Sequence, residues 1–293
     1  MSEPAAPIGH ISDTARWVAM YRALESERPD AHFHDPFARR LAGHEGEEIL
    51  RRMPRGRASA WPMVVRTCLF DEILLRLVAA GRVDRVLNLA AGLDARPWRL
   101  ELPAALSWVD VDLPAILARK REELAGETPR CRYEAVTLDL REAPARRRLF
   151  AERCGADTRT LVVSEGLLVY LAPEEVAALA DDLAAAPGTR AWLMDLASPG
   201  LLKLLARQWG AQVAQGGAPF RFGPAEGTQF FEPHGWREVE YRSMWEEARR
   251  LRRQMPLAWL WELLARFAPR ARREEMRRFS GIALLEHAAA ARA

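Results

Sequence analysis

The sequence predicts an α/β protein built on one mostly parallel, doubly wound sheet. Short β-prone runs alternate with helical segments from residue 83 onward, and the connections between them are short. Repeated strand–helix units of this kind give parallel strands with helices on both faces of the sheet. Hydrophobic residues make up 49% of the 293 residues, which is enough for a sizeable core.

Three helices are predicted before the first strand, at residues 15–25, 36–50 and 62–80. The second has the strongest start signal, because Asp35 is a preferred N-cap residue and Pro36 suits the first helical position. We expect residues 1–60 to form a helical lid and residues 61–293 to form the ligand-binding domain, both within one structural unit.

The alternating part of the chain supplies the sheet. Seven strands are predicted, at residues 84–90, 106–111, 131–137, 160–165, 190–196, 236–241 and 281–287. Helices are predicted at residues 113–125, 142–153, 173–186, 198–213 and within 244–278. Residues 210–234 are rich in Gly, Pro and Gln and are predicted to form a long loop, which in a compact domain is usually functional or mobile.

The stretch 85–113 carries the clearest ligand-binding signal. The first strand is followed by a turn that contains Ala90 and Gly92, so no bulky side chain keeps a ligand from the backbone. The second strand ends with Asp110 and Asp112, where nucleotide-binding folds place an acid against the ribose hydroxyls. This pattern predicts a cofactor that contains adenosine.

The same turn lacks the three glycines of a dinucleotide-binding fingerprint, since only Gly92 is present. Asp94 follows at a position where it would repel a pyrophosphate, although it suits a positively charged ligand group. A nucleotide-dependent oxidoreductase is therefore the less favoured alternative.

Acids also follow other predicted strands. Asp139 and Glu165 end the third and fourth, and Asp195 near the end of the fifth is interpreted as a turn residue. The carboxyl ends of parallel strands border the ligand crevice of an open sheet, so we expect these acids to line it. His32 and His34 are a close pair without a second cluster, and no metal site is predicted.

Composition excludes several classes of protein. The net charge of +3, from 43 basic and 40 acidic residues, does not predict nucleic-acid binding. No uncharged apolar run reaches the roughly 18 residues of a membrane span, so none is expected. Three cysteines without C-x-x-C spacing predict neither a disulfide framework nor a zinc site, and a cytoplasmic location is expected.

Several motifs occur in the order found in one known enzyme family. They are the Asp35-Pro36-Phe37 element, LNLAAGLDARPWRL around the first turn, WVDVDLP at the second strand end, and TLVVSEGLLVYL around Glu165. On these motifs, which spread from about residue 12 to about residue 200, the chain resembles the leucine carboxyl methyltransferase-like family of S-adenosylmethionine-dependent methyltransferases. The resemblance implies a Rossmann-like, class I methyltransferase sheet and S-adenosyl-L-methionine as the cofactor.

The resemblance also implies roles for individual residues. Arg66 is expected to contact the cofactor carboxylate, and Glu165 to lie near the amine and the reaction centre. Asp112 is expected to hold the ribose, with Asp110 beside it. The other implied contacts are Ala90, Gly92 and Asp94 at the methionine end and Asp139 and Leu140 at the adenine. The family's usual first glycine is Ala90 here, which keeps open a non-catalytic, cofactor-binding relative that acts through protein contacts.

The expected reaction is O-methylation of a small molecule or peptide by in-line displacement. A carboxylate acceptor is already ionised, whereas a hydroxyl acceptor needs a general base. Glu165 and His234 are the candidates for that base. The candidates for orienting an acceptor carboxylate are Arg66, Tyr170, Arg16 and Arg22. The lack of a clear base favours a carboxylate; the acceptor and the oligomeric state are not predicted.

Overall fold

The computed structural model describes residues 11–53, 56, 60–215, 219–255, 258 and 268–288. The strands are Arg85–Leu89 (β1), Ser107–Asp112 (β2), Arg132–Thr137 (β3), Thr160–Ser164 (β4), Thr189–Ala197 (β5), Trp236–Ser243 (β6) and Ser280–His287 (β7). The helices are Ile11–Ser26 (α1), Ala38–Arg52 (α2), Ala60–Ala79 (α3), Arg96–Arg99 (α4), Pro114–Glu123 (α5), Ala143–Arg153 (α6), Pro173–Ala184 (α7), Pro199–Gln215 (α8), Met244–Arg250 (α9) and Arg270–Arg277 (α10).

The strands form one sheet in the order β3-β2-β1-β4-β5-β7-β6. Strands β1 to β5 are parallel, and β7 runs antiparallel to both β5 and β6. Each predicted strand is present, with ends within two residues of the expected ones. The predicted doubly wound, mostly parallel fold is therefore confirmed.

Successive residues of the central strands are buried on opposite faces of the sheet. In β1, Val86 packs with the apolar side chains of α3, while Leu87 and Leu89 pack with those of α6 and α7. Burial on both faces is what a parallel sheet covered by crossover helices requires. The strand order reverses between β1 and β4, so the crevice for a ligand lies beyond the carboxyl ends of these two strands.

The N-terminal helices pack on each other, and α1 also packs on α3. The prediction that Asp35 is the N-cap of the second helix is wrong, because α2 begins at Ala38 and has no side-chain cap. Asp35 instead accepts a hydrogen bond from the backbone N–H of Phe37 (3.1 Å) and forms a buried ion pair with Arg22 (2.8 Å). None of the helices in the described ranges is long and apolar enough to cross a membrane.

The predicted loop over residues 210–234 is wrong in part. Helix α8 continues to Gln215, and a 3-10 helix covers Gly227–His234; residues 216–218 lie outside the described residues. The 3-10 helix buries Phe231 in the core, where it contacts the ring of Trp192. Tertiary packing of aromatic side chains overrides the Gly- and Pro-rich composition here. The predicted helical segment 244–278 contains α9 and α10, while 256–257 and 259–267 lie outside the described residues.

Candidate functional site

The turn after β1 is narrow and strained at one residue. Ala90 has a φ of 51° and Gly92 a φ of 54°, so both lie in the left-handed region. This conformation costs a residue with a side chain about 1–2 kcal/mol and costs glycine almost nothing. A Cβ atom on Gly92 would lie 3.4 Å from the Cβ of Ala15, so α1 lies directly over this turn. Ala90 thus keeps the backbone shape that a glycine would adopt.

Asp112 lies at the end of β2, beside this turn. Its carboxylate accepts hydrogen bonds from the backbone N–H groups of Gly92 (2.6 Å) and Leu113 (2.7 Å). Burial raises the pKa of Asp112 despite these two bonds. A carboxylate has about four acceptor positions, so two are free for hydroxyl donors.

Asp110 lies two residues earlier on β2 and does not reach the crevice. It is completely buried, and its carboxylate accepts hydrogen bonds from Asn88 (3.0 Å), Trp108 (2.8 Å) and Tyr133 (2.9 Å). The buried Lys120 forms an ion pair with the same carboxylate. All four acceptor positions are therefore used by the protein, and the structure does not bring Asp110 to the side of Asp112 that faces a ligand.

Glu165 follows β4 and is held by two arginines. Its Oε1 accepts from Arg66 Nε at 2.9 Å and its Oε2 from Arg96 Nη1 at 2.8 Å. Burial alone would raise the pKa of Glu165, but the charges of Arg96 and Arg66 outweigh it and hold the pKa below its usual value. Glu165 is therefore an ionised anchor for two cations.

Arg96 is a buried cation that the sequence analysis did not single out. Its guanidinium contacts Asp94 (2.9 Å) and Asp71 (2.6 Å) in addition to Glu165. Asp71 also pairs with Arg99 at 2.7 Å. Burial would raise the pKa of Asp94, but Arg96 and more distant cations lower it strongly. The available signal was the position of Arg96, two residues after Asp94 in the same turn.

Asp195 was interpreted as a turn residue, and this was wrong. It lies within β5, where its Oδ1 accepts from the backbone N–H of Gly166 at 2.7 Å. Its Oδ2 lies 3.2 Å from Nη1 of Arg66. The signal that could have found it is its place near the carboxyl end of a predicted strand, like the other acids at this edge.

Asp139 and Leu140 lie just beyond β3, at the same edge of the sheet. The backbone N–H of Leu138 donates to the backbone carbonyl of Asp112 at 3.0 Å, which keeps this segment beside β2. Asp139 pairs with the exposed Arg141, which lowers its pKa. Leu140 is half-buried against the core, and its carbonyl accepts from Arg146 (2.7 Å).

Tyr170 lies in a 3-10 turn after β4, close to Arg66. Burial raises the pKa of Tyr170 to about 12 against the opposing effect of the Arg66 charge, so the phenol is protonated at neutral pH. Its ring stacks on Phe220 with a centroid distance of 5.6 Å.

His234 cannot act at this site. It precedes β6, which runs parallel to β5, so it lies at the amino ends of the strands, and its Nδ1 contacts Asp181 at 2.7 Å. The interpretation of His234 as a base is wrong. The described residues contain no group of three or more His, Cys, Asp or Glu side chains placed to hold a metal ion.

The sequence profile of the leucine carboxyl methyltransferase family matches residues 15–184. This chain belongs to that family. A protein from Parafrankia sp., provisionally named an S-adenosyl-L-methionine-dependent methyltransferase, is 36% identical over an alignment of 293 positions, gaps included, and the alignment covers 88% of this chain and 93% of the relative. A Streptomyces coelicolor protein with the same provisional name is 39% identical over an alignment of 179 positions, gaps included, which covers 57% of this chain and 61% of the relative.

Solved structures have the same fold at much lower identity. A DUF574-family protein from Streptomyces avermitilis has a TM-score of 0.59 at 13% identity, covering 94% of this chain and 97% of the other. A protein from Thermobifida fusca, provisionally named a methyltransferase, has a TM-score of 0.57 at 16% identity, with 96% of each chain covered. As a member of the leucine carboxyl methyltransferase family, the chain is an S-adenosylmethionine-dependent methyltransferase. The predicted enzyme class and cofactor are confirmed, and the oxidoreductase alternative is set aside.

The strand ends fit this cofactor. Asp112 has acceptor positions that the protein does not use, and the turn carries no side chain larger than a methyl group at Ala90 and Gly92. Arg66 uses Nε and Nη1 for Glu165 and Asp195, and its Nη2 has no hydrogen-bond acceptor among the described residues. That nitrogen is a free cationic donor for a carboxylate.

Proposed function

We propose that this methyltransferase transfers the methyl group to a carboxylate oxygen of a small molecule or peptide. The observation that carries the proposal is the double ion pair of Glu165 with Arg66 and Arg96. A carboxylate held by two cations, with a lowered pKa, is a poor proton acceptor. Tyr170 keeps its proton at neutral pH. Neither residue can deprotonate a hydroxyl, whereas a carboxylate acceptor is ionised before it binds.

The cofactor supplies a methyl group on a sulfonium, whose positive charge makes the neutral thioether a good leaving group. In our proposal Asp112 holds the ribose, and Asp139 and Leu140 border the adenine. Arg66 binds the carboxylate of the methionine end. The chain's contribution to rate is then proximity and alignment of the acceptor oxygen, because no proton has to move.

Charge at the methionine end supports the same assignment. Two arginines, Arg66 and Arg96, are surrounded by three carboxylates, those of Asp94, Glu165 and Asp195. This leaves an excess of one negative charge, which suits a ligand with an ammonium, a sulfonium and one carboxylate. We therefore propose that Asp94 and Glu165 favour the cationic end of the cofactor without acting on the acceptor.

We further propose that helices α1 and α2, which belong to the predicted lid segment 1–60, act as a lid over the domain of residues 61–293. Residues 1–10, 54–55 and 57–59 of that segment lie outside the described residues. Helix α1 lies over the Gly92 turn, and its Trp17 meets Trp209 of α8 edge to face at 5.0 Å. The stacked Tyr170 and Phe220 add a second aromatic surface near Arg66. Such walls exclude water and favour an acceptor with an apolar body.

The location of the enzyme is part of the proposal. The three cysteines are free, buried thiols. Free thiols are typical of a reducing compartment, and we propose the cytoplasm.

The test compares acceptors that differ only in the reacting group. Phenylacetate is paired with 2-phenylethanol, and a peptide with a free C-terminal carboxylate is paired with its C-terminal amide. Formation of S-adenosylhomocysteine is measured between about pH 6 and pH 9, where a carboxylate remains ionised. We expect product from the carboxylates only, with a rate that does not rise with pH. Methylation of the alcohol alone, at a rate that increases with pH, would refute a carboxylate acceptor.

A further inference from the structure

Asp195 lies among the acids at the strand ends and has no assigned role of its own. Each of its carboxylate oxygens has a defined partner. It projects from β5 toward the segment that follows the neighbouring strand β4. Its side chain is about three-quarters buried, and its two oxygens have different partners. One oxygen holds the backbone of Gly166 and the other faces the guanidinium of Arg66.

Gly166 explains how the guanidinium comes so close to the backbone. Gly166 has a φ of 68°, and a Cβ atom on it would lie 3.2 Å from Nη1 of Arg66 and 3.6 Å from Nη2. A side chain there would be strained and would press on the arginine. The hydrogen bond from Gly166 N–H to Asp195 fixes this turn, so the acid positions both the cation and the surface on which the cation lies.

The guanidinium of Arg66 is fixed at two of its three nitrogens. Glu165 accepts from Nε at 2.9 Å and Asp195 accepts from Nη1 at 3.2 Å. Because the group is planar and rigid, these two contacts determine where Nη2 points. Burial would lower the pKa of Arg66, but Glu165 and Asp195 outweigh it and raise the pKa above its usual value. The guanidinium of Arg66 is thus kept protonated and fixed in orientation.

We propose that Asp195 is a positioning residue that aims Nη2 of Arg66 at the carboxylate of the cofactor. The inference rests on the proposed role of Arg66 in cofactor binding. Asp195 makes no contact with the cofactor in this view; it removes the rotational freedom that Arg66 would otherwise lose on binding.

The experiment measures binding by isothermal titration calorimetry with two ligands. One is S-adenosylhomocysteine, and the other is its decarboxylated analogue, which keeps the amine and lacks the carboxylate. In Asp195→Asn the amide oxygen can still accept from Gly166, but the amide nitrogen faces Arg66 as a second donor. We expect Asp195→Asn to weaken S-adenosylhomocysteine about tenfold and to leave the decarboxylated analogue within about twofold of wild type, since only a charge-assisted contact is lost. Asp181→Asn, at the opposite edge of the sheet, is the matched control.

A double-mutant cycle with Arg66→Met tests that the effect passes through the arginine. If Asp195 acts through Arg66, then Asp195→Asn adds no further loss in the Arg66→Met background. Equal weakening of both ligands, full additivity in the cycle, or unchanged affinity in Asp195→Asn would each overturn the proposal. If wild-type protein binds S-adenosylhomocysteine and its decarboxylated analogue equally, or if Arg66→Met binds S-adenosylhomocysteine normally, the role of Arg66 in the proposed function fails as well.

Discussion

Replacement of Asp110 by asparagine tests whether this acid is structural or binds the ribose. The variant keeps the shape of the side chain but leaves the ammonium of Lys120, which is 1% exposed, without its counterion. Breaking a buried ion pair from one side costs about 3–5 kcal/mol. Lys120 also lies over the rings of Trp98 (5.4 Å) and Tyr133 (5.7 Å). These cation–π contacts remain in the variant and still stabilise the ammonium, so we expect a loss at the lower end of this range.

The expected net loss is therefore about 3 kcal/mol in the free energy of unfolding. For a chain of this size that corresponds to a fall in Tm of about 5 °C. Thermal unfolding followed by circular dichroism measures the shift. Glu101→Gln is the matched control, because Glu101 is 85% exposed in its pair with Arg130 and such pairs contribute less than about 1 kcal/mol.

The double variant Asp110→Asn/Lys120→Met sharpens the argument. It removes both charges, so no unpaired buried ion remains, and we expect it to lose less stability than the sum of the two single variants. Calorimetry with S-adenosylhomocysteine at 15 °C should give an affinity for Asp110→Asn close to that of wild type. A Tm within about 2 °C of wild type combined with a more than tenfold loss of affinity would show that Asp110 binds the ribose and that our reading of its contacts is mistaken.

Three further predictions concern the crevice. Ala90→Gly should stabilise the protein by about 0.5–1 kcal/mol in urea unfolding, because it relieves the strain of an alanine at a left-handed φ of 51°. Gly81→Ala, at a φ of 66° with open space around it, should destabilise the protein by about 1 kcal/mol. A change of the same sign in both variants would contradict backbone strain at Ala90. The pKa values of Glu165 and Asp94 are lowered in the folded protein, so the contribution of these acids to stability is complete above about pH 5 and is lost as the pH falls through the folded-state pKa values. Urea unfolding should therefore show a free energy of unfolding that declines below about pH 4, with a smaller decline in Glu165→Gln. A rise in stability on acidification would be incompatible with this prediction. Asp112→Ala should weaken S-adenosylhomocysteine about 10–100-fold by calorimetry through loss of charged acceptors for the ribose, and unchanged affinity would remove Asp112 from the cofactor site.

Local patterns in the sequence were sufficient for the sheet and for the position of the turn after β1. The seven strands follow from short apolar runs bounded by turn residues, because burial on both faces imposes that pattern on each strand separately. The narrow turn at Ala90 and Gly92 and the acid at Asp112 were predicted because they depend only on residues that adjoin a strand end. The loop prediction over 210–234 was wrong in part because the aromatic packing that orders it comes from distant segments.

What only the tertiary structure decided is which acids are free. Asp110 and Asp112 are two residues apart on one strand. Side chains from β1, β3 and α5 occupy the acceptor positions of Asp110, whereas Asp112 accepts only from two backbone N–H groups. Asp195 and Arg66 are separated by 129 positions. They meet because β5 pairs with β4, which brings Asp195 to Gly166, and the guanidinium of Arg66 lies against Gly166. Charge pairing in this crevice depends on the order of the strands in the sheet and on how deeply each acid is buried. The spacing of acids along the chain determines neither of these.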